Sequence, residues 1–317
     1  MKKIFVTGGT GFLGYHLIKE LLKDKKNSIY VPIRPGSTNT DIYFRLLVKK
    51  YPERLHLFII DLNGLLSNEM IAQLFSYQFD EVYHLASMIG AKGIETSPAD
   101  ILWTNQTLMD NAIVIARLSN AKFLYVSTAE TYYCMPRFTD NPVSETSAIG
   151  FDDPRNPRWA YAFSKVSGEA ELAHTGLNYF IAKPTNLYGP RMTQDYVIKK
   201  LIEVLKSDKQ ATIGNINDTR EYLYVEDLVK GLITLMSKDW DNQPNKTVLF
   251  PGRKPMTVVD LINEMAYILE VKSVPKLVDS EIPEKRHTSG KKAKDWLKWE
   301  PKTSISEGLR KTIEFYA

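Results

Sequence analysis

Tyr161 and Lys165 stand four residues apart in Tyr161-Ala162-Phe163-Ser164-Lys165, so on a helix the phenol and the ammonium share one face, a turn apart. A tyrosine ordinarily ionises near pH ~10. An ammonium beside it favours phenolate and makes Tyr161 a candidate general base near neutrality. Bringing the phenol down by ~3 units asks for about 4 kcal/mol of differential stabilisation. The pair alone is common. It gains meaning from the two features that precede it: a glycine-rich turn after the first strand, and a strand ending in Ser127-Thr128.

The turn reads Thr7-Gly8-Gly9-Thr10-Gly11-Phe12-Leu13-Gly14. The spacing Gly8, Gly11, Gly14 gives a tight bend, a close backbone approach to a pyrophosphate and close packing of helix on strand. The helix that follows offers N–H groups and a partial positive charge to phosphates. A dinucleotide, NAD(P), is therefore expected, and its positive nicotinamide ring would add to the pull toward phenolate at Tyr161. The second strand ends in Pro32-Ile33-Arg34-Pro35-Gly36-Ser37, with no carboxylate before Asp41. An acidic residue there would accept from an adenosine 2′-OH, whereas Arg34 suits a 2′-phosphate, so NADP is favoured over NAD. The alternative for Arg34 is a solvent-facing side chain stacked on adenine, which would serve either cofactor. Asp61, closing the third strand, is placed to accept from the adenine amine or to cap the next helix.

These groups need a scaffold. Short β-branched or aromatic runs at 4–7, 28–33, 55–60, 81–86 and 122–127 alternate with helical stretches at 12–23, 41–50, 67–75 and 99–118. Such alternation predicts an α/β chain with a doubly wound, Rossmann-type parallel sheet covered on both faces. After about residue 184 the pattern loosens at Pro184, Gly189, Pro190 and Gly214, although a strand at 179–183 and a helix at 225–236 still read as sheet domain. The expectation is a NAD(P)-binding domain of residues 1–185 plus about 220–250. A smaller, discontinuous α/β substrate lobe of 186–219 and 251–317 would share one cleft with it.

Composition excludes several classes. With 317 residues, 44% apolar and 25% charged, the chain buries a core without disulfides or metal, and is neither disordered nor collagen-like. One cysteine, Cys134, forms no internal disulfide and points to a reducing, cytoplasmic compartment. A net charge of +4 does not suggest a nucleic-acid partner. The apolar run at Ile4-Phe5-Val6 ends after three residues, and no stretch approaches the ~18 apolar residues of a membrane span. The five histidines show no metal-ligand spacing and no Gly-x-Ser-x-Gly elbow is present, so neither a metal site nor hydrolase chemistry is expected.

Taken together, these residues resemble the extended short-chain dehydrogenase/reductase family, in its nucleotide-sugar epimerase and dehydratase branch. The likeness runs through the turn at 7–14, His84-Leu85-Ala86, Asn105, Ser127-Thr128 and Tyr161/Lys165. It continues in Lys183-Pro184-Thr185-Asn186-Leu187-Tyr188-Gly189-Pro190-Arg191, Tyr224-Val225-Glu226-Asp227-Leu228, Trp299-Glu300-Pro301 and Glu307-Gly308-Leu309. It implies that Phe12, Leu13, Leu62, Leu85, Ala86 and Asn105 join Gly8, Gly11, Gly14, Arg34 and Asp61 around the cofactor. It also implies that Thr128, with Ser127 beside it, hydrogen-bonds the sugar hydroxyl or keto oxygen. Tyr161 exchanges the proton, while Lys165 holds the nicotinamide ribose and lowers the Tyr161 pKa. Asn186 contacts the diphosphate or sugar, and Arg220 and Arg286 clamp the nucleotide and pyrophosphate.

Glu130 falls where dehydratases and decarboxylases of the branch carry a catalytic glutamate. Their preceding aspartate or serine is Ala129 here, which weighs against either full activity. Asn156-Pro157-Arg158-Trp159-Ala160 resembles sugar-acid decarboxylases locally, and 88–94 is similar to the hexose-covering loop of GDP-sugar epimerases. The cysteine of those epimerases has no counterpart, Cys134 being a few residues further on, and Tyr132-Tyr133 replaces the usual Tyr-Gly. The function expected is a nucleotide-sugar epimerase or ketoreductase acting by hydride transfer at a sugar carbinol or keto carbon. The alternatives are a dehydratase or decarboxylase using Glu130, and a non-catalytic dinucleotide-binding sensor or scaffold. A homodimer is implied by the resemblance.

Overall fold

In the computed structural model, residues 1–36, 41–89, 97–134, 141–192, 197–206, 212–239, 245–271, 276–277 and 283–316 are described. The apolar runs of the first half become strands β1 (Lys2–Thr7), β2 (Asn27–Ile33), β3 (Leu55–Ile59), β4 (Glu81–His84) and β5 (Lys122–Val126). With β6 (Tyr179–Pro184) and β10 (Thr247–Phe250) they make a seven-stranded sheet of order β10-β6-β5-β4-β1-β2-β3. Pairing is parallel from β3 through β6, with Ile4 opposite both Ile29 and Glu81, and His84 opposite Tyr125. The direction of winding reverses between β1 and β4, and in such sheets ligands sit at the carboxyl ends of the strands flanking that reversal.

Helices α1 (Phe12–Leu21), α2 (Ile42–Lys50), α3 (Asn68–Tyr77), α4 (Pro98–Ser119) and α5 (Ala160–Ala173) connect these strands. The apolar stripe expected on α1 is buried as Gly14, Leu17, Ile18 and Leu21, the three-and-four spacing of one helix face. Asp41 caps α2 through Phe44 N at 2.9 Å, and Ser67 caps α3 through Met70 N at 3.3 Å. Phe5, Val82, Phe123 and Ile181 of the strands form a continuous core with Leu74 of α3 and Met109 and Ile113 of α4.

Two compact units result. The first comprises Met1–Thr128, Asp153–Ala182 and Leu232–Thr247, the second Ala129–Asp152, Lys183–Gly231 and Val248–Ala317. The second contains a three-stranded sheet in which β9 (Thr219–Tyr224) lies parallel to β7 (Asn186–Tyr188) and antiparallel to β11 (Pro255–Thr257). A two-residue parallel pair, β8 (Thr212–Ile213) with β12 (Lys276–Leu277), accompanies it. The later α-helices are α6 (Val197–Lys206), α7 (Val225–Met236), α8 (Val258–Leu269) and α9 (Ile305–Phe315). The Trp299-Glu300-Pro301 signature is tied to the start of α7: Trp299 Nε1 donates to Asp227 O at 2.9 Å. The Asp227 carboxylate accepts from Lys302 N at 3.0 Å and Thr303 N at 2.7 Å. Among the described residues no helix is long and apolar enough to cross a membrane.

Candidate active site

Gly8 follows β1 with φ +67°, in the left-handed region, and a Cβ there would stand 2.8 Å from Ala86 N. At Gly14 a Cβ would run into the Gly8 carbonyl oxygen. Gly11 is the N-cap of α1 and makes no side-chain cap bond, and Phe12 and Leu13 form the first turn. This close-fitting bend at the winding reversal fits a dinucleotide pyrophosphate. Thr7 Oγ1 secures it by accepting from Leu85 N and Ala86 N, both at 3.1 Å, and pairing with His84 Nδ1 at 2.8 Å.

The remaining expected cofactor residues also lie in the first unit. Arg34 is exposed directly after β2. Asp61 accepts from Asn63 N at 2.9 Å, and with Ser67 capping α3 the capping alternative for Asp61 falls away. Leu62 is buried, and Asn111 of α4 donates to Leu62 O and Gly64 O at 2.8 Å each, holding that loop. Asn105 accepts from Met88 N at 2.6 Å and donates to Ser164 Oγ at 2.9 Å, and Ser164 Oγ donates to Tyr161 O at 2.7 Å. It thereby ties the segment after β4 to the first turn of α5. Ser37 and residues 90–94 lie outside the described residues.

Tyr161 and Lys165 share a face of α5. Lys165 is 3% exposed; its Nζ donates to Val126 O at 3.0 Å and sits 4.9 Å from the Tyr125 ring centre and 5.7 Å from that of Tyr161. Burial pulls the ammonium down to about 7, with the Glu169 carboxylate opposing. Ser127, at the end of β5, hydrogen-bonds through its hydroxyl to Glu169, and Thr128 follows, half-buried. His84 stacks on Tyr125 with ring centres 5.5 Å apart, and burial followed by the Lys165 charge lowers it to about 3.

Glu130, Asn186, Arg220 and Arg286 belong to the second unit, which gathers three of them. Arg286 makes ion pairs with Glu130 and, at 2.9 Å, with Glu284, and Glu284 also pairs with Arg220 at 2.8 Å. Arg220 reaches Asp218 as well, at 3.2 Å. Burial alone would depress Arg286, but Glu130 and Glu284 more than offset it and leave it raised. Arg220 is lowered by burial and by Arg286. Asn186 stands apart on β7, exposed and opposite Tyr222.

Ala129 is buried with Tyr132, Tyr133, Val143 and Leu249, an apolar cluster in which an aspartate or serine would be unsolvated. Tyr133 donates to His287 O at 3.0 Å, and its ring lies 5.1 Å beneath the Arg286 guanidinium. The second tyrosine of Tyr132-Tyr133 is thus a platform for that arginine. Cys134 is buried, with Sγ donating to Glu130 O at 3.4 Å. Among the described residues no group of His, Cys, Asp or Glu could hold a metal ion.

Sequence reasoning missed Glu169, Asp218 and Glu284. Glu169 follows Lys165 by one helical turn. Asp218 and Glu284 each precede their arginine by two residues, the spacing that puts side chains on one face of extended chain.

The geometry agrees with what the chain is similar to. The profile of the NAD dependent epimerase/dehydratase family matches residues 4–249. UDP-glucuronic acid decarboxylase 1 of Xenopus tropicalis is 27% identical over 99% of this chain and 72% of its own length. The uncharacterised UDP-glucose epimerase YtcB of Bacillus subtilis is 28% identical over 99% and 97%. The crystal structure of UDP-glucose 4-epimerase from Thermotoga maritima, with UDP-glucose, has the same fold, with TM-score 0.81 at 24% identity over 99% of this chain and 98% of that one. UDP-glucuronic acid 4-epimerase of Bacillus cereus, in complex with UDP-glucuronic acid and NAD, superposes with TM-score 0.82 at 22% identity over 99% and 98%. A glycine cradle at the winding reversal, a Tyr–Lys pair on one face of α5 and a profile match over most of the chain lead to one assignment: the chain belongs to the NAD dependent epimerase/dehydratase family.

Proposed function

We propose that this protein is a nucleotide-sugar epimerase or ketoreductase that moves a hydride between a sugar carbon and NAD(P). The observation that carries the reading is the buried Lys165, fixed to the Val126 carbonyl with its ammonium beside the Tyr161 ring. NAD(P) supplies the hydride acceptor and donor when bound. Tyr161 takes the hydroxyl proton as the carbinol hydrogen leaves as hydride, and returns it when the keto oxygen is reduced. Lys165 keeps positive charge beside the forming phenolate, and Thr128 holds the reacting oxygen. Gly8, Gly11, Gly14, Phe12 and Leu13 hold the pyrophosphate, while Asp61 and Leu62 hold the adenine end. Leu85 and Ala86 hold the nicotinamide side, with Asn105 fixing the backbone around it. Arg34, exposed at the end of β2, supports a preference for NADP. Arg220, Arg286 and Asn186 hold the diphosphate and sugar. A UDP-sugar is the substrate class, on the strength of relatives named for UDP-glucose and UDP-glucuronic acid.

The test is turnover of UDP-glucose and UDP-glucuronic acid by wild type and Tyr161→Phe, with NAD⁺ and NADP⁺, the products resolved by chromatography and followed by mass spectrometry. A loss of roughly 10²–10⁴-fold is expected in the variant, with better use of NADP⁺. A variant as active as wild type removes Tyr161 from the chemistry, and better use of NAD⁺ removes the role given to Arg34.

One observation favours a second reading, decarboxylation of a UDP-hexuronate. Glu130, the carboxylate to which this reading gives the proton transfer, is paired with the buried Arg286, a cation suited to a sugar carboxylate. Decarboxylase relatives accompany it. Loss of carbon dioxide from UDP-glucuronic acid in the same assay decides for it, and an isomer of unchanged mass decides for epimerisation.

The reading extends to a homodimer formed through α4 and α5. Leu102 and Trp103 of α4 and Phe163 of α5 are exposed, Trp103 by 61%, which supports a covered apolar face. A cytoplasmic location rests on the lone, buried Cys134.

A further inference from the structure

We propose that Glu169 is a positioning residue of this site, committing the Ser127 hydroxyl and supplying the counter-charge of the Lys165 ammonium; the proposal rests on the hydride-transfer reading above. Tyr161, Lys165 and Glu169 recur at four-residue steps on α5, a single stripe of one helix face. Between the last two lies Gly168, where a Cβ would stand 2.8 Å from the Tyr125 hydroxyl. The absence of that Cβ lets α5 lie close against β5, which brings the end of the strand within reach of Glu169.

Two consequences follow for the chemistry. A serine hydroxyl has one proton, and that of Ser127 is donated to Glu169. Ser127 therefore has none to offer a sugar oxygen. Lys165, meanwhile, makes no salt bridge among the described residues: its partners are the Val126 carbonyl and the faces of Tyr125 and Tyr161. The groups facing it are His84 of β4, held neutral, Tyr125 of β5, and Tyr161 and Glu169 of α5, with Glu171 acting on Tyr125. Of these, Glu169 is the one whose charge favours the ammonium. Without it the lysine sits buried against rings and a carbonyl, with no carboxylate to oppose the desolvation of its ammonium.

The test needs no turnover. In protein carrying ¹³C-labelled lysine, the Lys165 Cε resonance is assigned by its disappearance in Lys165→Met and followed against pH. Glu169→Gln keeps the acceptor for Ser127 and removes the charge, so the Lys165 midpoint should fall by about one pH unit or more. Ser127→Ala, which removes the hydrogen bond and leaves the charge, should hold the midpoint near that of wild type. A midpoint unmoved by Glu169→Gln overturns the proposal. If that variant does not fold, Glu169→Asp, which draws the charge back by one methylene, takes its place, and a midpoint at the wild-type value again overturns it. Turnover of UDP-glucose and UDP-glucuronic acid separates the two readings. An unmoved midpoint with activity abolished by Tyr161→Phe sinks the role of Glu169 alone. A moved midpoint with activity untouched by Tyr161→Phe sinks the reaction alone.

Discussion

Thr7 fixes the state of His84 by elimination. Its Oγ1 accepts two backbone N–H groups, from Leu85 and Ala86, which occupies both lone pairs. The hydroxyl proton is left for His84 Nδ1, 2.8 Å away. That nitrogen is then an acceptor, the ring proton is on Nε2, and burial with Lys165 nearby, holding the ring near 3, keeps it neutral. Thr7→Val keeps the shape and removes all three bonds, leaving half-buried N–H groups unpaired. It should cost about 1–3 kcal/mol, read from urea denaturation, and weaken dinucleotide binding. Thr7→Ser should stay close to wild type, and a Val variant as stable as wild type would show that the hydroxyl is dispensable. The sequence made Thr7 visible as part of a glycine-rich turn, but its partners are set by the pairing of β1 with β4, which no local pattern announces. The same holds for Arg220 and Arg286. The family resemblance marked them as anion binders, whereas the carboxylates that already engage them come from 218, 284 and 130 and meet only in the folded second unit.

At the scale of elements, α4 and α5 are joined by polar contacts and leave apolar side chains outward. Gln106 of α4 donates to Glu171 and accepts from Ser167 at 2.9 Å, both of α5, while Leu102, Trp103 and Phe163 are exposed. Trp103→Asp puts a charge on that face and should convert a dimer to monomer in sedimentation velocity, with the far-UV spectrum unchanged. A wild-type protein that sediments as a monomer removes the dimer. The sheet elements were legible because each buries a long periodic face: α4 was expected at 99–118 and runs Pro98–Ser119, and α7 was expected at 225–236 and runs Val225–Met236. The elements of 186–219 and 251–317 were not resolved by pattern. β7 and β11 are three residues long and β8 and β12 two, too short for alternation to register, and their existence depends on β9 and β8 lying beside them.

Across the molecule, two buried ionisable groups bend the stability curve in opposite directions. Burial raises the Glu221 carboxyl from 4.5 to about 7, against hydrogen bonds from Thr288. The folded chain therefore holds the extra proton between those values, and stability falls as pH rises through them. Lys165 is lowered from 10.5 to about 7, so the unfolded chain holds the extra proton above that point and stability rises with pH. Urea unfolding at about pH 5, 7 and 9 should show Glu221→Gln losing part of the decline over the first interval and Lys165→Met losing part of the gain over the second. Slopes identical to wild type in both variants would contradict this assignment.

The bonds from Thr7 to His84, Leu85 and Ala86 span 77, 78 and 79 residues. Closing so long a stretch of chain carries an entropic cost that only the docked sheet recovers. The floor of the cradle is therefore absent from any chain in which β4 has not yet settled beside β1. A dinucleotide held on that join recognises completed molecules and ignores partly folded ones, and at a hundredfold excess over its Kd it adds about 2.7 kcal/mol to their stability. Dinucleotide binding then acts on the stability of the folded chain as well as on turnover, and the urea midpoint should rise with dinucleotide concentration.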